Sequence, residues 1–140
     1  MEFPYVECEG PRKRVFYRPY LPVVLRYGSK RFFVPHALVD TGADLTVLPL
    51  DVAHALEIEL DDTEGVEMGS AGGGKFIALP SQKPIQFAVE QKGHRPLEWE
   101  GIVYFAPREP VVLLGHRPCL EHLSLLFDGP KRKLRVMATR

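Results

Sequence analysis

Short apolar runs, broken by glycine and proline, dominate this chain, and apolar residues at helical spacing are scarce. Between Ile85 and Val89 every second residue is a large apolar one, which is the period of a strand with one buried face. Residues 111–114 form a continuous apolar run, which favours a strand buried on both faces. The pattern therefore predicts a mainly β protein.

Turn signals and short helical patterns complete the predicted elements. Gly28-Ser29-Lys30 and Asp128-Gly129-Pro130 each lie between two apolar runs, so each predicts a hairpin turn. One short helix is predicted over 49–56, with Asp51 as a candidate N-cap, and a second over 118–123. The remaining runs predict strands at residues 15–17, 22–27, 31–38, 46–48, 99–105, 124–127 and 133–137.

The segment richest in glycine is Gly69-Ser70-Ala71-Gly72-Gly73-Gly74. Since glycine lacks a Cβ atom, the backbone here can turn sharply and approach a ligand closely. Extended apolar flanks at 66–68 and 76–79 predict a hairpin with a glycine tip rather than a linker. A phosphate-binding loop is rejected because no Lys-Ser or Lys-Thr pair opens a following helix. A surface loop with no catalytic role has the same composition and stays an alternative.

Composition excludes several classes of protein. The 140 residues suit one domain, and 18 basic residues balance 18 acidic ones, so no nucleic acid or anionic membrane is indicated as a partner. No apolar run approaches a membrane span, and no signal peptide is visible at the N-terminus, so a cytoplasmic location is expected. Cys8 and Cys119 do not indicate a disulfide scaffold, and Cys119 is expected to pack as a small apolar residue.

Candidate chemistry is concentrated at Asp40, which follows an apolar strand. A carboxylate at the end of a buried strand is costly unless it is hydrogen-bonded or functional. Gly42 allows a tight turn that aims backbone N–H groups at the carboxylate, and the Thr41 hydroxyl is expected to brace the loop. The alternative is that Asp40-Thr41-Gly42 supplies ordinary turn chemistry at a strand end.

Asp40-Thr41-Gly42-Ala43 matches the catalytic tetrad of the retropepsins, the aspartic proteases related to retroviral proteases. The hairpin around 69–74 resembles the flap of that family, and Val112-Leu113-Leu114-Gly115 resembles the element that packs beneath its catalytic loop. The resemblance implies a single-domain acid protease barrel with a flap, in which Asp40 is catalytic and Thr41, Gly42 and Ala43 support it. Residues 21–140 would form this domain, and residues 1–20 an N-terminal extension packing on it.

The resemblance also implies a structural ion pair for Asp44. In retroviral proteases an Arg directly follows the late Gly and pairs with the acid four residues beyond the catalytic Asp. Here His116 follows Gly115 and Arg117 comes one residue later, so the expected pair is Asp44 with Arg117, and pairing with His116 stays open. Candidates for the walls of side-chain pockets are the apolar residues Leu45, Val47, Ile77, Leu79 and Val112.

A single Asp-Thr-Gly implies two chains, because this chemistry needs one ionised and one protonated carboxylate. A C2 homodimer supplies the second Asp40 by symmetry. The expected function is an aspartic endopeptidase acting on peptides or proteins, with no cofactor and no metal. The alternative is a catalytically weak or inactive retropepsin-fold module that binds peptides or dimerises. A basic RNA-binding barrel is disfavoured by the balanced charge.

Overall fold

The computed structural model describes residues 1–69 and 73–137, and every structural statement below concerns these residues. They form fourteen β-strands, one α-helix and two single 3₁₀ turns, at Pro11–Lys13 and Leu120–His122. The helix, α1, spans Leu50–Leu56. The strands are β1 Glu2–Pro4, β2 Val6–Glu9, β3 Val15–Arg18, β4 Tyr20–Tyr27, β5 Lys30–Val39, β6 Val47–Pro49, β7 Val66–Gly69, β8 Lys75–Pro80, β9 Ile85–Val89, β10 Leu97–Gly101, β11 Tyr104–Ala106, β12 Val112–Leu114, β13 Ser124–Asp128 and β14 Lys133–Met137.

The described residues form three sheets. A nine-stranded sheet has the order β10-β9-β4-β5-β12-β6-β11-β8-β7, a three-stranded sheet has the order β1-β14-β13, and β2 pairs with β3 alone. Within the large sheet, β12 lies parallel to β5 and antiparallel to β6. The short strand β12 therefore joins the strand that leads to Asp40 with the strand that follows it.

The core lies between the large sheet, α1 and the terminal sheet. Its largest fully buried side chains include Phe87 and Phe105 of the large sheet, and Leu134 of β14 is equally buried. Along β9, Ile85, Phe87 and Val89 are buried and Gln86 is exposed, as the predicted alternation requires, but Ala88 on the second face is buried as well. The prediction of a mainly β protein is confirmed.

Two local predictions were wrong. The expected strand over 99–105 is two strands, β10 and β11, because β10 stays in a hairpin with β9 whereas β11 leaves to pair with β6 and β8. Asp51 is not the N-cap of α1: that position is Pro49, with no side-chain cap hydrogen bond. Asp51 lies in the first turn, where its negative charge favours the helix dipole.

The N-terminal residues take part in the terminal sheet. Strand β1 pairs with β14, so that Phe3 lies opposite Leu134 and is buried. Residues 6–18 form the separate β2–β3 hairpin, on which Val15, Phe16 and Tyr17 are exposed. The division between an extension over 1–20 and a domain over 21–140 stays a prediction. None of the helices in the described part of the chain has the length and apolar character to cross a membrane.

The two free cysteines are expected to differ in reactivity. Burial raises the pKa of the fully enclosed Cys119 thiol to about 12, so at about pH 8 almost none of it is the nucleophilic thiolate. Cys8 is only half-buried. Iodoacetamide followed by peptide mass spectrometry should label Cys8 in the folded protein and Cys119 only after unfolding in urea. Equal labelling of both in the folded protein would contradict the burial of Cys119.

Candidate active site

The loop of residues 40–46, here called the Asp40 loop, holds its own carboxylate. Strand β5 ends at the buried Val39, and the half-buried Asp40 follows it directly. The backbone N–H of Gly42 donates to Asp40 Oδ1 over 3.0 Å, and the N–H of Ala43 donates to the Asp40 carbonyl over 3.2 Å. The turn predicted at Gly42 therefore aims a donor at the carboxylate, which restricts the directions that this side chain can take.

A second stretch of chain, residues 114–117, crosses beneath this loop and is here called the crossing segment. The N–H of Asp40 donates to the Leu114 carbonyl over 3.1 Å. The N–H of His116 donates to Ala43, and that of Arg117 to Asp44, each over 2.9 Å. Main-chain bonds from both ends of the crossing segment thus bind the Asp40 loop.

Gly115 and Thr46 let the crossing segment lie close to the backbone of the Asp40 loop. A Cβ atom on Gly115 would lie 2.3 Å from the Leu45 carbonyl oxygen and 2.8 Å from that of Ala43, which leaves no room for any side chain. The buried Thr46 hydroxyl accepts a hydrogen bond from the Gly115 N–H over 3.0 Å. Sequence reasoning missed this role of Thr46, because one threonine beside an apolar run carries no signal of what it bonds.

The side-chain ion pair expected between Asp44 and Arg117 is not among the ion pairs of the described residues. Arg117 Nε lies 3.5 Å from Glu121 Oε2 instead, four residues along the chain. Asp44 and Arg117 are joined only through their main chains. His116 does not pair with Asp44 either: its Nε2 lies 2.8 Å from the Thr41 carbonyl oxygen. Because a carbonyl can only accept, this nitrogen carries the hydrogen.

The support expected from Thr41 also differs from the prediction. Its side chain is exposed, and within ranges 1–69 and 73–137 its hydroxyl makes no hydrogen bond. The Thr41 carbonyl, bound by His116, is the atom that anchors this residue. The crossing segment therefore holds the Asp40 loop with the His116 side chain as well as with its backbone.

The Asp40 loop forms part of the wall of an open cleft of about 1280 Å³. Strands β7 and β8 form another wall, and residues 106–110, between β11 and β12, form a third. The cleft exceeds the roughly 300–1,000 Å³ of a common small-molecule pocket, and its shape is open rather than enclosed. An extended ligand fits it better than a compact one.

The described residues include only part of the predicted flap. Strands β7 and β8 form the expected hairpin, and Gly69 and Gly74 line the cleft. Gly73 has φ +83°, a left-handed backbone that favours glycine. Ser70, Ala71 and Gly72 lie outside the described residues. Near the turn of the hairpin, Lys75 Nζ lies 3.2 Å from Glu67 Oε1.

Apolar residues of the cleft only partly match the candidates from the sequence. Leu45, Val47 and Ile77 line it, whereas Val112 is buried in the core and the neighbouring Leu113 takes the lining position. Leu79 is not a lining residue of the described cleft.

Two charged residues of the third wall were not singled out from the sequence. Arg108 and Glu109 both line the cleft. The pKa of the Glu109 carboxyl is raised, because partial burial disfavours its charged form more than the hydrogen bond from the Val111 backbone favours it. Their place in a proline-bounded loop gave no sign of a site, because loop residues show no periodicity. No group of three or more His, Cys, Asp or Glu within ranges 1–69 and 73–137 is placed to hold a metal ion.

Gly115→Ala is expected to destabilise the protein strongly. The added methyl group meets backbone atoms of Leu45 and Ala43 that cannot rotate away, so the free energy of unfolding should fall by at least about 1–3 kcal/mol. Gly129→Ala is the matched control, since a Cβ there meets nothing within 4 Å, and its change should stay within about 0.5 kcal/mol. Urea titrations would measure both. Equal stabilities of the two variants would show that the crossing is not close-packed.

His116→Ala is expected to lower the free energy of unfolding by about 0.5–1.5 kcal/mol, because it removes the hydrogen bond to the Thr41 carbonyl. It should also speed amide hydrogen exchange at Gly42 and Ala43. His94→Ala, at an exposed turn between β9 and β10, is the control and should alter neither. Unchanged exchange in the Asp40 loop of His116→Ala would argue against this brace.

Comparison with known proteins gives matches among solved structures. No family model and no curated protein matches the sequence. Among solved structures, the EIAV protease complexed with the inhibitor HBY-793 is similar, with 24% sequence identity and a TM-score of 0.50. The match covers 71% of this chain and 82% of that chain. At this identity the likeness concerns the fold alone, and it shows that this chain has the retropepsin-like fold of a retroviral protease.

Proposed function

We propose that the protein is an aspartic endopeptidase in which two copies of Asp40, one from each subunit of a homodimer, hydrolyse a peptide bond. The observation that carries the proposal is the Asp40 carboxylate, held by the N–H of Gly42 on the wall of a large open cleft. A carboxylate kept in one direction beside space for an extended chain is what this reaction requires.

The reaction divides two roles between two chemically identical groups. Carboxylates about 3 Å apart share one proton, as in aspartic proteases generally, because both cannot be ionised at that distance. The ionised Asp40 takes a proton from water while the water oxygen bonds to the peptide carbonyl carbon. The protonated one gives its proton to the carbonyl oxygen, which yields a tetrahedral diol. The Asp40 that took the proton from water then gives it to the peptide nitrogen, and the C–N bond breaks. One diol hydroxyl returns its proton to the other Asp40, and a carboxylic acid and an amine leave.

The need for a second chain follows from the count of catalytic loops. The sequence contains one Asp-Thr-Gly, and the other acidic residues that line the cleft in the described part of the chain, Asp44, Glu67 and Glu109, are not part of such a motif. Residues Thr41 and Gly42 beside it are exposed in the single chain. A two-fold axis beside them would bring the partner subunit's Asp40 to the same place and would cover this exposed backbone.

The substrate is proposed to be an extended peptide. Its backbone would pair with the edge of the β7–β8 hairpin, in the manner of strand addition, and its side chains would contact Leu45, Val47 and Ile77. Glu67 and Lys75 already pair with each other, so they would contribute little net charge to recognition.

Asp40→Asn is the test of this proposal. The amide keeps the shape of the side chain but cannot take a proton from water, so cleavage of a mixed peptide library at mildly acidic pH should fall by about 10²–10⁴-fold. Asp62→Asn is the matched control, since Asp62 is exposed and lies outside the cleft, and it should cleave like wild type. Mass spectrometry of the products gives both rates.

Two outcomes would count against the enzyme. Equal cleavage by wild type and Asp40→Asn would reject Asp40 as the catalytic acid. Binding of peptides without any cleavage by wild type would favour the alternative of a peptide-binding module with the same fold.

A further inference from the structure

The β2–β3 hairpin forms a sheet of its own and leaves its edges open. Within the described residues, β2 and β3 pair only with each other. All four residues of β3 are exposed, and three of them are the large apolar residues Val15, Phe16 and Tyr17. No step of the reaction proposed for Asp40 involves this hairpin, so its exposed strand is available for a separate role.

The main-chain hydrogen bonds of the hairpin show which backbone groups face the outer edge of β3. The N–H of Gly10 donates to the Arg14 carbonyl over 2.7 Å, so these residues form a hydrogen-bonded pair. Such pairs alternate along an antiparallel ladder, and the next pair, Glu9 with Val15, therefore has its backbone groups pointing outwards. The same holds two residues further on, at Tyr17. Neither Val15 nor Tyr17 has a main-chain bond to another part of the described chain.

Contacts with the rest of the protein hold this hairpin in place. The N–H of Tyr5 donates to the Arg132 carbonyl over 2.8 Å, and the Arg132 guanidinium lies 3.6 Å from the centroid of the Tyr17 ring. The Phe16 ring lies against Gly10, where an added Cβ atom would be 2.2 Å from it. Both aromatic side chains are thus restricted, and a surface that is ordered before it binds loses less entropy on binding.

Positive charge is concentrated around the same edge. Arg14, directly before β3, and Arg18, at its end, flank Phe16 on one face, because alternate residues of an extended chain share a face. Arg12 and Lys13 lie in the turn that joins the two strands. None of these four cations is among the ion pairs of residues 1–69 and 73–137. The balanced total charge of the chain does not reveal this local excess.

We propose that the outer edge of β3 binds an extended acidic segment of another protein, which adds to the hairpin as a third strand. The backbone of that segment bonds the outward N–H and C=O groups of Val15 and Tyr17. Its carboxylates lie opposite Arg14 and Arg18, and an apolar residue between them lies opposite Phe16. Apolar residues also face Val15 and Tyr17. The expected segment is therefore acidic-apolar-apolar-apolar-acidic, a pattern that is the same in either chain direction.

The chemistry of the hairpin favours this occupant over others. A nucleic acid offers phosphates to the arginines but has no strand backbone to pair with the open edge. A second copy of β3, paired about Phe16, would place Arg14 opposite the partner subunit's Arg18, which is repulsive. Along the other edge of the hairpin, β2 carries the exposed Glu7 and Glu9, which repel an acidic segment. The outer edge of β3 is therefore the binding edge.

Two labelled peptides test the charge preference by fluorescence anisotropy. The acidic probe is Ser-Glu-Val-Leu-Val-Glu-Ser, and the basic probe has Lys in place of both Glu residues. Every protein in the titrations carries Asp40→Asn, so that a probe is not cut during the measurement, and the Asp40→Asn protein is here called the parent. The parent should bind the acidic probe at least about tenfold more tightly than the basic one, because two favourable charge pairs replace two repulsive ones. Added salt should reduce this difference.

Val15→Pro tests the contribution of the backbone. Proline removes the outward N–H and leaves the bonds between β2 and β3, and Arg14 already has the extended conformation that precedes proline, with φ −73° and ψ 141°. The dissociation constant for the acidic probe should rise by about 3–10-fold, the effect of one backbone hydrogen bond. Val15→Thr is the matched control: it keeps the N–H and nearly the same shape, and it should bind like the parent.

Arg14→Glu tests the contribution of charge and does not depend on the proline variant folding. It replaces an attraction by a repulsion, so the preference for the acidic over the basic probe should fall by about tenfold. Arg95→Glu is the matched control, since Arg95 is exposed between β9 and β10 and the change of charge is the same. Its preference should equal that of the parent. Circular dichroism checks that all variants are folded.

Several outcomes would overturn the proposed edge. Equal binding of the two probes by the parent would do so, and so would unchanged binding in Val15→Pro or in Arg14→Glu. Tighter binding of a short oligothymidylate than of the acidic probe, weakened by Arg14→Glu but not by Val15→Pro, would identify a nucleic-acid surface instead. Absence of peptide cleavage by wild type would count against the proposed function and leave this edge standing, because Asp40 is not part of it.

Discussion

The close passage of Gly115 beneath the Asp40 loop is the constraint on which the rest of the site depends. Only a residue without a side chain lets two backbones lie this near, and the N–H groups of His116 and Arg117 then reach the carbonyls of Ala43 and Asp44. Backbone bonds of this kind are short and directional, so they hold the loop more narrowly than side chains alone. The crossing thus holds the loop in which the Gly42 N–H bonds the Asp40 carboxylate.

The site combines a rigid part with an open part. The Asp40 loop is tied to β12 and the crossing segment, which belong to the centre of the nine-stranded sheet. The facing β7–β8 hairpin lies at the end of the same sheet. Its Ile77 side chain lines the cleft and is exposed to solvent. Such a division suits a reaction that needs fixed acids but must admit and release a long chain.

A single chain holds half of the proposed chemistry, because it carries one Asp40. In the proposed reaction the Asp40 carboxylate needs a second carboxylate. The side chain of His116 bonds the residue after Asp40, while its carbonyl anchors the turn that leads into β13. One short segment thus holds both the Asp40 loop and the turn that leads into β13.

By itself, the sequence determined the β class, the hairpins and the position of the Asp40 turn, because these follow from apolar alternation and from the local conformations of Asp, Gly and Pro. Tertiary structure alone decided the partners. Arg117 pairs with Glu121 rather than Asp44, Thr46 bonds Gly115, and the run at 99–105 divides between two neighbours. Each of these contacts joins residues whose distance is set by how the strands stack, and periodicity along one strand carries no information about what packs across it.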